Sequence, residues 1–346
     1  MTLKMMEDGE AWDRFVEDSP YGLLYHRWDF LKIVELYSGY RLLPYGIFKG
    51  SELICLFPLF LKVKGGLKML YSPPQQALVY VPYLGMVMSP LFDGLRQHKK
   101  ENYLDTVARD INREIGKLSA NRVAIAPPPG LVDFRHFRWS GYRVDVGYTY
   151  VIDLSRSMDE IWDSLSKDCR KSIKECEKKQ LTLKPSGDVG AFMALMRRDL
   201  EQKDDTFFHR QSPEYLKTLL ARFPDNLKMS FLYDEDCLVA AAINCEYKRH
   251  LLLWMCGKDC TRGDYGEYLN WEFLRKAKED GIETVENWGT EQQLLCVYKS
   301  KFNPSLEPRY ALVKDDAIGR LATWTYNSVV GIPHKHPHLH SLFKGS

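Results

Sequence analysis

A mixed α/β protein of two domains is predicted, and three observations predict it. The chain has 346 residues, more than one hydrophobic core usually organises. Its 45% hydrophobic and 13% aromatic residues mark a folded protein and not a disordered one. In its second half a hairpin, a strand, a helix, a strand, a helix and a strand follow in order, which points to a mixed sheet with helices on its faces. The fold class is therefore α/β in the mixed α+β sense. Domains are expected over 1–150 and 151–314, followed by a C-terminal helix and histidine-containing tail over 315–346.

In the first domain, Ala11 to Asp18 and Arg27 to Tyr37 read as helices, the second through Trp28, Leu31 and Leu36. Tyr45 to Phe48 and Leu53 to Val63 are strand-like runs joined by the turn Lys49-Gly50-Ser51. Pro58 within the second run suggests an edge strand or a bulge. Prolines at 73, 74, 82, 90 and 127 to 129 break the rest into loops and short strands around one helix, Tyr103 to Leu118.

The second domain opens on a strand, Tyr148 to Leu154. Trp162 to Lys179 reads as one helix and Val189 to Gln202 as another; Pro213 to Phe223 follows with Ser212 as its cap. Leu227 to Tyr233 and Leu238 to Tyr247 flank the turn Asp234-Glu235-Asp236, and His250 to Gly257 is a third, nearly continuous apolar strand. Glu267 to Asp280 is a helix closed by Gly281. Ile282 to Trp288, Glu291 to Lys299 and Glu307 to Lys314 then read as strand, helix and strand.

A net charge of +2 does not announce a nucleic-acid binder, so any such role must rest on a local basic face. Acids near the start do not suit a signal peptide, and no apolar run approaches the ~18 residues of a membrane span; a cytoplasmic protein is expected. The eight cysteines contain no CxxC pair. Cys256 and Cys260, spaced CxxxC, read as structural thiols and not as zinc ligands. His334, His336, His338 and His340 read as part of a tail, and no metal site is assigned.

Several groups could carry chemistry. On the 162–179 helix, Trp162, Leu165, Cys169, Ile173 and Cys176 form an apolar stripe, while Lys167, Arg170, Lys171, Lys174 and Lys178 share one sector at about 100° per residue. Such a face suits phosphate, and it equally suits plain solvation. The loop Thr261-Arg262-Gly263-Asp264-Tyr265-Gly266 joins a strand to a helix, and Gly263 and Gly266 there could expose N–H groups to phosphate or simply allow a flexible connection. Glu286, Asn287 and Trp288 end one strand, and Tyr298 and Lys299 follow on a helix, where polar groups are placed to serve a site. No GxSxG, HExxH, Walker or GxGxxG pattern supports a hydrolase, metalloprotease, NTPase or dehydrogenase.

Taken in order, these pieces resemble the FemAB-like branch of the GNAT (N-acyltransferase) superfamily. The similarity runs through Tyr25-His26-Arg27-Trp28 with Phe30 and Leu31, the Gly46 to Leu59 hairpin, Phe137 to Tyr142, Val151 to Ser155, and Trp162 with Leu165, Arg170 and Ile173. It continues through Leu269 to Gly281, Asn287-Trp288-Gly289 and Tyr298-Lys299-Ser300-Lys301-Phe302. The resemblance implies two tandem GNAT-like domains, each a mixed sheet flanked by helices, with the donor site in the second. It implies an acyltransferase or aminoacyltransferase with no tightly bound cofactor and with acyl-CoA or aminoacyl-tRNA as co-substrate. The acceptor would be an amine-bearing small molecule, peptide or cell-wall precursor, with tRNA as a further candidate partner.

On that reading Lys299 stabilises developing charge, and the backbone N–H groups of Met255, Cys256 and Gly257 meet the oxyanion. Glu286 and Tyr298 are the acid–base candidates. Arg170, Lys171 and Lys174, with Gly263 and Gly266, face donor phosphate; Asn287 and Trp288 face substrate. Two departures stand out. Asn287 occupies a position where an aspartate is common, and the loop from Cys260 to Gly266 does not reproduce the glycine pattern of acyl-CoA-using relatives. The alternative is a non-catalytic GNAT-fold protein that binds RNA or a phosphate-bearing ligand.

Overall fold

A computed structural model describes residues 2–74, 79–202, 212–259, 261, 263–290 and 292–329. The chain forms two compact units: residues up to Gly147 with the segment beginning at Pro308, and Tyr148–Glu307. The expected boundary near 150 thus falls close to the first division, but the chain returns to the first unit at 308, within the last predicted strand. Cys260, Arg262 and the four tail histidines lie outside the described residues.

The first unit contains β1 (Thr2–Met5), α1 (Gly9–Asp18), α2 (Trp28–Ser38), β2 (Arg41–Lys49), β3 (Glu52–Lys64), β4 (Leu67–Ser72), β5 (Val87–Met88), α3 (Gln97–Leu118), β6 (Arg122–Ile125) and α4 (Arg135–Trp139). Asp8 starts α1 by accepting from the N–H groups of Glu10 and Ala11, which aims Trp12 and Val16 into the core. Strands β1 to β4 form an antiparallel meander, β4 and β6 are parallel and joined through α3, and Leu312–Asp315 closes the unit antiparallel to β6.

Pro58 does not mark an edge. β3 pairs with β2 on one side and with both β5 and β4 on the other, and Pro58 falls in the gap after the residues paired with β5 and before those paired with β4. Its missing N–H therefore costs no ladder bond on that side. The register shift of β3 lies instead at Ile54, away from the proline.

Past the ends of β4 and β6, the first unit is filled by its own chain. Ser72 Oγ accepts from Gly85 N at 2.8 Å, and Leu84 N donates to Ala126 O at 2.8 Å. Tyr83, Leu84 and Met86 are buried there. Gly85 has φ +82°, and a Cβ would lie 2.9 Å from Pro127 Cα, so this plug requires glycine.

The second unit begins within β7 (Arg143–Asp153) and contains α5 (Met158–Ser164), α6 (Lys167–Glu177), β8 (Leu181–Pro185), α7 (Val189–Gln202), α8 (Pro213–Arg222), β9 (Leu227–Asp234), β10 (Cys237–Tyr247), β11 (His250–Lys258), α9 (Gly266–Glu279), β12 (Thr284–Asn287) and α10 (Gln293–Ser300). β13 (Ser305–Asp315) leads out of it to α11 (Ala317–Val329). The strand order is β7-β12-β11-β10-β9-β8, antiparallel except for the parallel pair β11 and β12 bridged by α9. Each unit thus repeats one plan: a meander, a helix-bridged parallel pair, and an antiparallel closing strand.

The helix predicted over 162–179 is two helices. Leu165 ends α5, and Ser166 starts α6, its side chain accepting from Cys169 N at 3.1 Å. The apolar stripe survives the break: Leu165, Cys169 and Ile173 pack with Leu251, Leu274, Val285 and Phe302, and Cys176 joins a neighbouring cluster with Leu269 and Phe273. Among the described residues no helix is long and apolar enough to cross a membrane.

Candidate functional site

The parallel pair of the second unit opens into a gap. β11 and β12 are in register only over His250–Leu252 and Thr284–Glu286, whereas β11 continues to Lys258. Its pairing with β10 skips Trp254, a bulge that bends the strand at the point where it leaves β12. From Leu253 onward β11 therefore runs on beyond its pairing with β12. Met255, Cys256 and Gly257 lie on this stretch.

Their side chains differ. Cys256 is exposed, while Gly257 is covered by α7: a Cβ on Gly257 would stand 3.0 Å from both the N and Cα of Met196. Helix backbone cannot yield as a side-chain tip can. Gly257→Ala is therefore expected to destabilise the protein by about 1–3 kcal/mol through overpacking. A lower urea midpoint with an unchanged denaturant slope would show it.

Tyr298, on α10, reaches the first turn of α9. Its hydroxyl accepts from Asn270 Nδ2 at 3.1 Å, and a Cβ on Gly266 would come within 2.8 Å of it. Lys258 and Lys301 place their ammonium groups 5.5 and 5.9 Å from the ring centroid. Burial, then the negative charge of Glu267, with smaller contributions from Cys256, Asp264 and Cys169, pushes the phenol pKa well above its ordinary value. The phenol stays protonated at neutral pH. Glu267 is 1% exposed; one carboxylate oxygen takes Lys301 Nζ at 2.7 Å, and that hydrogen bond raises the lysine's pKa.

The start of α9 carries its own anion. Asp264 accepts from Gly266 N at 3.2 Å and pairs with Lys258 Nζ at 3.0 Å. Burial opposes its charge, but Lys258 and the Gly266 N–H outweigh that and hold the carboxyl below its ordinary pKa. Gly263, at φ +141°, gives the loop a backbone conformation that favours glycine. An open groove of about 440 Å³ runs from here along α6, bordered by Asp168, Lys171, Ser172, Glu175, Lys179 and Asp264.

The other predicted residues divide into several places. Lys171 and Lys174 are exposed on α6, with Lys174 5.7 Å from the Trp162 ring. Arg170 instead turns back to α5, donating to the carbonyls of Asp163 at 2.7 Å, Leu165 at 2.9 Å and Trp162 at 3.3 Å. It satisfies a helix end. Lys299 is buried, donating to the Trp288 carbonyl and, at 2.9 Å, to that of Gly289. Burial lowers its pKa to about 8.

Glu286 is 2% exposed, accepts from Thr149 Oγ1 at 2.7 Å and lies 3.3 Å from His250 Nε2. Val285 belongs to the core cluster against which Tyr298 packs, so Glu286, the next residue of the strand, points to the opposite sheet face. Asn287 shares the Val285 face and is buried; the half-buried Trp288 contributes its carbonyl to Lys299. The structure thus brings Tyr298, Gly266 and Gly263 to one end of α9 and leaves Glu286 and Arg170 elsewhere. Sequence reasoning missed Lys258, Glu267, Asn270 and Lys301. Only the i, i+4 spacing of Gly266 and Asn270 on one helix signalled any of them.

A strand bulged and splayed from its parallel neighbour, followed by a helix bearing glycine at its first turn, occupies the stretch that matches a family model. Residues 164–300 match the model described as "Acetyltransferase (GNAT) domain". The second unit carries a GNAT acyltransferase domain. Solved structures share the fold of the longer chain around this GNAT domain. "Crystal structure of FemX" matches at 13% identity and TM-score 0.67, over 90% of this chain and 97% of that one. "The structure of L-PGS from Bacillus licheniformis" matches at 12% identity and TM-score 0.57, over 96% and 100%. A "Tandem GNAT protein from the clavulanic acid biosynthesis pathway (without AcCoA)" matches at 11% identity and TM-score 0.54, over 91% and 98%. At these identities the likeness concerns the fold, which is of the tandem GNAT type. No curated protein matches the chain.

Proposed function

We propose that the GNAT domain forms an amide by transferring an acyl or aminoacyl group from a phosphate-bearing donor to an amine, as FemAB-like proteins do. The acceptor nitrogen attacks the ester or thioester carbonyl in the gap beside β11. A C–N bond forms and the C–O or C–S bond of the donor breaks. Tyr298 gives its phenolic proton to the departing oxygen or sulfur and regains one from solvent, into which the amine proton is released. N–H groups of the Met255–Gly257 edge face the oxyanion. Lys299 acts on the site by fixing the Trp288–Gly289 backbone. The observation that carries this reading is the Tyr298 hydroxyl, held at the first turn of α9 near the stretch of β11 that runs on past its pairing with β12.

Of the two donors, aminoacyl-tRNA is favoured. The Asp264 carboxylate already occupies the α9 terminus, where a pyrophosphate would meet its charge, while exposed Lys167, Lys171 and Lys174 on α6 suit a long polyanion. The test is direct: full-length protein is incubated with a set of primary amines and either tRNA charged with labelled amino acids or labelled acetyl-CoA. Labelled amide is expected from the tRNA arm. Amide from acetyl-CoA alone reverses the donor assignment. Amide from neither arm, with salt-sensitive tRNA binding, leaves the non-catalytic RNA-binding reading, which the same lysines support.

A further inference from the structure

We infer that Asn270 is a positioning residue that, together with the space left by Gly266, seats the Tyr298 hydroxyl with its hydrogen directed away from α9. The inference rests on the proposed proton-donating role of Tyr298 and concerns what makes that role geometrically possible. Gly266 and Asn270 are one helical turn apart, on the same face of α9. The amide Nδ2 of Asn270 donates to the phenol oxygen at 3.1 Å. Since Asn270 fills a lone pair of that oxygen, the phenol's single proton has to find another acceptor.

Gly266 supplies the second half of the seat. Any Cβ there would stand 2.8 Å from the hydroxyl, closer than van der Waals contact allows, so alanine must push the ring out or turn it. An asparagine is also informative because its isosteric acid reverses the bond. The carboxylate of an Asn270→Asp variant accepts and does not donate, so it would draw the phenol proton towards α9.

The test uses the full chain labelled with [13Cζ]tyrosine, in which the Tyr298 signal is the one missing from Tyr298→Phe. Turnover with charged tRNA and with acetyl-CoA is measured on the same proteins. Asn270→Ala and Gly266→Ala are each expected to move the Tyr298 signal. Asn270→Ala should lower kcat about tenfold, with donor KM changed less than about twofold. Asn270→Asp should lose at least as much in spite of its matching shape. A Tyr298→Phe/Asn270→Ala double variant should be no slower than Tyr298→Phe alone, because Asn270 acts only through the hydroxyl.

An unmoved Tyr298 signal in Asn270→Ala overturns the inference whatever the turnover. So do losses that multiply in the double variant, or an Asn270→Asp protein with wild-type kcat. Full turnover in Tyr298→Phe is a different failure: it removes the proton-donating reading itself.

Discussion

Tyr298→Phe is expected to lower amide-forming turnover by at least about a hundredfold, the usual contribution of a positioned general acid, while the protein stays folded. Phenylalanine keeps the packing against Phe302, whose ring centroid lies 6.0 Å away, and loses only the hydroxyl. Asn270 is half-buried, so water can replace the lost acceptor. The comparison to make is kcat at saturating donor alongside the urea midpoint of each protein. A large kcat loss at an unchanged midpoint separates proton delivery from structural damage; a variant that turns over normally removes Tyr298 from the chemistry.

Lys299→Met is expected to act in the opposite way, on the fold first. Methionine retains most of the aliphatic stem, but the Trp288 and Gly289 carbonyls lose their donor at the end of β12. Leaving buried acceptors unsatisfied costs about 1–3 kcal/mol, enough to lower the unfolding midpoint measurably. The effect should also depend on pH with a definite sign. Burial depresses the folded pKa of Lys299 from 10.5 to about 8, so the neutral amine is the form the fold prefers. From pH 8 to 10.5 the unfolded chain holds more protons at this residue, and its contribution to stability rises with pH by something on the order of 3 kcal/mol. That contribution is fully present above 10.5 and is lost as pH falls through 8. Urea titrations of wild type and Lys299→Met at pH 7.5 and 9.5 read it: the stability difference should widen at the higher pH. A difference that stays flat argues against a depressed lysine pKa.

These two residues show how much of the site was legible from the chain. Apart from the break at Ser166 and the strand Leu181–Pro185, the order of elements after Tyr148 follows from periodicity and caps and reappears in the structure, as does the apolar stripe from Leu165 to Cys176. The break at Ser166 was hidden because the stripe continues across it in phase. The short strands Leu67–Ser72, Arg122–Ile125 and Leu181–Pro185 carry too few alternating residues to announce themselves. Two strands are divided at the unit boundaries, with Leu312–Asp315 serving the first unit and Tyr150–Asp153 the second, an arrangement no local pattern encodes.

For the site, residue type was readable but partner was not. Arg170 and Lys299 both look like free cations in the sequence, and both are satisfied by main-chain carbonyls that composition cannot reveal. Asn270 gains its meaning from Tyr298, 28 residues further on, and Asp264 from Lys258 across a loop. Such pairings arise only when β11, α9 and α10 have folded together. The sheet face of Glu286 likewise depends on which side of β12 the α9 helix covers.

Hydrogen–deuterium exchange with donor bound tests the central claim most directly. Peptides spanning 253–268 and 293–302 should gain protection when charged tRNA is added to the full-length protein, because the proposed function places the donor ester against β11, the start of α9 and Tyr298. Protection confined to the first unit, or to surfaces that include neither segment, would contradict the placement of the transfer site.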